Sequence, residues 1–128
     1  MGALETKDFA LYVEAWRERL GRRHGEHQAR TQHLRDVAEA CAHRLVQEFG
    51  ARKVYLFGSL LEQSLVHDRS DIDLAVEGLD GKLYFEALSD LWALLPPWAE
   101  LDLVPLERAH VGLAERVRSE GVLLDAAA

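Results

Sequence analysis

The stretch LFGSLLEQSLVHDRSDIDLAV, residues 56–76, sets Asp71 and Asp73 one residue apart inside an apolar run, behind a Gly58-Ser59 pair. Aspartate is disfavoured in strands and expensive to bury, so two of them alternating with Ile72 and Leu74 need a purpose that offsets the cost. Side chains at i and i+2 of a strand share a face, which brings both carboxylates close enough to surround one ion. A divalent cation there removes their mutual repulsion. A third acid, Asp102, lies in ELDLV (residues 100–104) in the same alternating phase, sharing a face with Glu100 and opposite Leu101 and Leu103. If the two strands are neighbours, the three carboxylates form a set of hard oxygen donors suited to Mg²⁺, with substrate phosphates and water completing its octahedron. Two such ions about 4 Å apart stabilise both the attacking and the leaving oxygen of an in-line phosphoryl displacement. Gly58-Ser59 falls where an apolar run ends and a helical turn can begin. Glycine lets backbone approach a phosphate without an intervening Cβ, and serine adds a hydroxyl donor. A Gly-Ser turn or an Asp-x-Asp pair alone is common; their combination with an in-phase third Asp points to nucleotide chemistry.

These residues need elements to hold them. VYLF (54–57) reads as a short central strand buried on both faces. DIDLAV (71–76) alternates, with Ile72, Leu74 and Val76 on one face and Asp71, Asp73 and Ala75 on the other. Residues 60–66 suit one or two helical turns. Phe9, Val13, Trp16 and Leu20 recur at helical spacing, and after Gly21 and Gly25 the pattern resumes at Leu34, Ala38, Cys41, Leu45 and Phe49. That predicts helices over 6–22 and 28–49, or one bent rod, closed by Gly50. Tyr84, Leu88, Leu91, Trp92 and Leu95 stripe a helix over 82–95 that Pro96-Pro97 stops; a last helix runs over 107–120 to Gly121, with VLL as an extended tail. The expected fold is α/β (α+β): a small mixed sheet of three to four strands flanked by helices. Residues 1–30 form an N-terminal helical extension and residues 31–128 the domain proper.

Composition sets the outer bounds. With 48% hydrophobic and 29% charged residues in 128, the chain is that of an ordinary globular domain. Neither a signal-peptide pattern nor an apolar run of membrane-spanning length is present, so a cytoplasmic location is expected and a membrane is not. The single cysteine, Cys41, has no internal partner and suits a small buried core position. Residues 1–50 carry 8 basic and 8 acidic side chains, whereas residues 51–128 carry 7 and 14, so the net charge of -7 lies entirely in the second part. This argues against nucleic acid as a partner there and favours divalent cations. Arg17, Arg19, Arg22, Arg23, Arg30 and Arg35 face only Glu18 and Glu26 in residues 17–35, forming a solvated helix face or a docking surface for an acidic partner or RNA. His24 and His27, an i, i+3 couple with no Cys or acidic companion, are weak evidence for a metal pair. The aromatic stripe before Gly21 suggests a homodimer or partner contact through the N-terminal helices.

FGS, SDIDLAV and LDLV together resemble the DNA polymerase beta-type nucleotidyltransferase superfamily, and within it the minimal nucleotidyltransferase (MNT) branch, whose members often serve as antitoxins to HEPN-type RNase toxins. The resemblance spans about Val54 to Leu124, including the tail SEGVLLDA. It implies a nucleotidyltransferase fold in which Gly58 and Ser59 bind nucleotide phosphates and Asp71 and Asp73 bind two Mg²⁺. Asp102 then ligates metal and helps activate the acceptor hydroxyl. The implied reaction moves a nucleotidyl group, AMP from ATP, to a tyrosine or other hydroxyl on a HEPN-type toxin. The chain departs from the branch after Ser59: Leu60-Leu61-Glu62-Gln63 stands where many members have a basic residue and a second glycine, and the interval to Asp71 is one residue longer. Both missing features help hold a triphosphate, and Arg69 and Lys53 are the cations available in exchange. Two other readings are a nucleotidyltransferase-fold module that neutralises a partner by contact alone, and an aminoglycoside-type enzyme. The latter would need its acceptor site from a second subunit, since little chain follows Leu124.

Overall fold

The computed structural model describes residues 6–58 and 71–128, without the side chains of residues 6–9, 24 and 27. The chain divides into two compact units, Met1–Gln32 and His33–Ala128. Helix α1, Thr6–Phe49, is a single helix of 44 residues. Gly21 and Gly25 do not interrupt it. Each costs about 1 kcal/mol relative to alanine, but Ala, Leu, Arg, Glu and Gln dominate their surroundings and the helix contains no proline. Gly50, at φ 73°, ends it in the left-handed conformation that glycine adopts without strain. The N–H of Ala51 reaches back to the Leu45 carbonyl at 3.0 Å. In the first unit, Leu11, Tyr12, Trp16 and Leu20 are exposed, and none of the described side chains from Ala10 to Gln32 is buried.

The second unit is built on a four-stranded sheet of β1 (Lys53–Phe57), β2 (Asp71–Glu77), β3 (Glu100–Pro105) and β4 (Val122–Ala126), in the order β3-β2-β1-β4. β2 and β3 are parallel; β1 is antiparallel to both β2 and β4. The VLL tail is therefore a paired strand, and it satisfies the second edge of β1. Residues 34–46 of α1 and helix α2 (Tyr84–Trp92) cover one face, where Val54, Leu56, Ile72, Leu74, Val76, Leu101 and Leu103 are buried. Helix α3 (Val111–Glu120) covers part of the other, packing Ala114 and Val117 against Tyr55, Ala75 and Leu106. This double cover is why VYLF is continuously apolar.

Two helices begin later than their apolar stripes predict, because local caps intervene. Asp80 accepts a hydrogen bond from the Lys82 N–H at 3.0 Å, opening a 3₁₀ turn over Gly81–Leu83 before α2. His110 accepts one from the Gly112 N–H at 3.1 Å, so α3 starts at Val111 after a separate turn at Leu106–Arg108. Among the described residues no helix is long and apolar enough to cross a membrane.

Cys41 is fully buried beneath the sheet, and burial pushes its thiol up to about 11 from the usual 9.0. Above that usual value the unfolded chain loses the proton first, so stability falls as pH rises between the two values. Cys41→Ala is expected to lose part of this alkaline sensitivity, as urea unfolding at about pH 8 and about pH 10.5 would show.

Candidate active site

The register of β2 and β3 sets the site. Asp73 is the direct partner of Asp102, and Asp71 of Glu100, on adjacent parallel strands. Phe57 of β1 is the partner of Asp73 from the other side. Paired residues project to the same face, so Phe57, Asp73 and Asp102 form a row across three strands about 4.8 Å apart. It lies on the face that α3 covers, and Asp71, Asp73, Glu100 and Asp102 all keep access to solvent. A one-residue slip of β3 would turn Asp102 into the core and Leu101 or Leu103 out to solvent, so hydrophobic burial enforces the juxtaposition.

Gly58 follows β1 at φ 80°. A Cβ at this position would fall on the Asp73 carboxylate, 2.9 Å from its Cγ. Two separate demands thus require glycine here: the left-handed backbone and the closeness of the acid. Ser59 and residues 60–70, including Arg69, lie outside the described residues. Lys53 does not reach the site: it opens β1 opposite Glu77, five residues from Gly58, or about 17 Å along an extended strand.

Tyr84 supports the strand that carries Asp102. Its hydroxyl donates to the Leu103 carbonyl at 2.7 Å. Burial raises its phenol above the ordinary range and the Asp102 charge adds to the shift, so the proton stays in place as a donor to this outer strand. Beside Gly58 opens a groove of about 340 Å³ between Phe57 at the end of β1 and Leu113, Arg116, Val117 and Glu120 of α3. Sequence reasoning did not single out this groove. The only signal was one helical face bearing residues 113, 116, 117 and 120, and helical periodicity does not say which loop that face meets.

The donor chemistry of Asp71, Asp73 and Asp102 fits Mg²⁺, which is commonly held by one or two carboxylates while substrate phosphates and water complete the shell. As the side chains are placed, no group of three or more His, Cys, Asp or Glu among the described residues closes on one ion. The protein thus offers a partial shell.

A family model of the polymerase beta nucleotidyltransferase domain matches residues 39–126. No curated protein is similar enough to match the chain. Among solved structures, the chain is similar to a toxin–antitoxin crystal structure with AMP-PNP, at 30% identity and a TM-score of 0.55 over 69% of this chain and 73% of that one. It is also similar to a toxin–antitoxin MntA–HpeT mutant bearing two aspartate-to-glutamate substitutions, at 29% identity and a TM-score of 0.54 over 69% and 72%. The family match runs from the last part of α1 through β4 and takes in the whole sheet with α2 and α3; the chain belongs to the polymerase beta nucleotidyltransferase family.

Proposed function

We propose that this chain is a Mg²⁺-dependent nucleotidyltransferase that moves AMP from ATP to a hydroxyl on a HEPN-type toxin, and so acts as the antitoxin of that pair. The observation that carries this reading is the register that pairs Asp73 with Asp102 on neighbouring strands, with Gly58, just past the end of β1, close against the Asp73 carboxylate. Asp71 and Asp73 are the residues to hold Mg²⁺, which when bound neutralises charge on the reacting phosphate and the leaving group. Asp102, exposed on the outer strand, faces the acceptor and takes its hydroxyl proton. The acceptor oxygen forms a bond to the α-phosphorus as the bond to the β-phosphate oxygen breaks, and pyrophosphate leaves. In-line geometry then places the leaving group on the Gly58 side, where bare backbone admits phosphate. The similarity to toxin–antitoxin structures, one of them holding AMP-PNP, supports the choice of partner and nucleotide.

The remoteness of Lys53 keeps one rival reading in view, neutralisation by contact without turnover. Intact-mass measurement of a HEPN-type RNase incubated with the protein, ATP and Mg²⁺ separates the two. Transfer predicts a toxin heavier by one or more AMP groups and an RNase silenced only when ATP is present. An RNase silenced without nucleotide, at unchanged mass, would replace transfer with contact.

A further inference from the structure

We infer that Arg116 of α3 binds the β- and γ-phosphates of the nucleotide, supplying from a distant part of the chain the positive charge that Leu60-Leu61-Glu62-Gln63, directly after Gly58-Ser59, lacks. This rests on the transferase reading above. The argument begins with direction. On that reading the acceptor side of the site is β3 and the reacting phosphate lies over β2, so along the strand order β3-β2-β1 the leaving group extends toward the end of β1. The next feature beyond Gly58 along that line is the groove lined by Phe57, Leu113, Arg116, Val117 and Glu120. A polyphosphate tail continuing past Gly58 enters it.

A cation at this point adds to the charge that bound metal supplies. Asp71, Asp73, Glu100 and Asp102 crowd one sheet face, and a nucleotide triphosphate adds several negative charges more. Lys53 lies at the far end of β1, whereas Arg116 lines the same groove as Gly58. Ala114 and Val117, both buried against the sheet, hold α3 in place and thereby aim the Arg116 stem at the groove. Glu120 accepts a hydrogen bond from the Arg116 Nε at 2.9 Å, which steadies the guanidinium from one edge. A guanidinium is a planar fork of donors matched to phosphate oxygens.

The test is calorimetric titration of the full chain with ATP, AMP and pyrophosphate, each with Mg²⁺, for wild type, Arg116→Ala, Arg116→Lys and Asp73→Asn. Arg116→Ala is expected to weaken ATP and pyrophosphate binding about 10-fold or more, as loss of a charge-assisted hydrogen bond should, and to leave AMP binding unchanged. Arg116→Lys should restore part of the loss. The Arg116 side chain is 73% exposed and its pair with Glu120 lies at the surface, where such pairs contribute little, so each variant is expected to stay folded, as a thermal melt would show. Equal weakening of AMP would overturn the assignment by placing Arg116 on the nucleoside, and unchanged ATP binding would remove it from the site. Unaltered ATP binding in Asp73→Asn would instead overturn the transferase reading itself, so the two failures are distinct.

Discussion

Asp71→Asn/Asp73→Asn should abolish AMP transfer, lowering the rate about 10³-fold or more. A bound metal contributes several kcal/mol to stabilising a phosphoryl transition state, and each 1.4 kcal/mol or so is a factor of ten. An amide keeps the shape of the carboxylate but is a neutral and poorer ligand for a hard dication. Folding should survive, because both side chains sit on the solvent-accessible face and neither belongs to the buried core. The variant is checked by toxin labelling beside a thermal melt. Wild-type labelling by a folded double variant would remove the carboxylates from the reaction.

Gly58→Ala should be nearly as damaging, for a steric rather than an electrostatic reason. Left-handed backbone costs a non-glycine residue about 1–2 kcal/mol, and the added methyl must also displace the Asp73 carboxylate. Gly50 provides the internal control: its φ is 73°, close to the 80° of Gly58, but a Cβ there meets nothing within 4 Å. Gly50→Ala should therefore carry the backbone cost alone and retain transfer, whereas Gly58→Ala should lose more stability and nearly all transfer. Adding Asp73→Gly to Gly58→Ala relieves the collision but not the backbone strain, so stability should return in part while transfer stays absent. Thermal melts of wild type, Gly58→Ala, Asp73→Gly and the pair form a double-mutant cycle. Equal losses for Gly50→Ala and Gly58→Ala would mean that the Asp73 contact contributes nothing.

Short-range patterns made the strands and their faces legible. Alternation in DIDLAV and ELDLV gives the two faces of each strand without reference to any neighbour, but not that α3 buries Ala75 on the face it shares with Asp71 and Asp73, and the continuous run VYLF marks burial on two sides. What alternation cannot supply is pairing: the in-register alignment of Asp73 with Asp102 depends on how α2 returns the chain to β3. Helix ends were less legible where a side chain competes for a backbone donor, as His110 does at the start of α3. Gly21 and Gly25 read as breaks because each is locally unfavourable, yet an unfavourable residue inside a long run of good helix formers is carried by its neighbours. Arg116 went unnoticed for the reason that applies to most site residues distant in sequence: its relation to Gly58 is made entirely by the packing of α3 on the sheet.

The central claim is that nucleotide is held through metal on the Asp71, Asp73 and Asp102 face, and calorimetric titration of the wild-type protein with ATP tests it most directly, in Mg²⁺ and again with the metal chelated. Saturable binding in Mg²⁺ that disappears with chelation, and is absent from Asp71→Asn/Asp73→Asn under both conditions, is the predicted result. Binding of equal strength without the metal, or undiminished in the folded double variant, would contradict it.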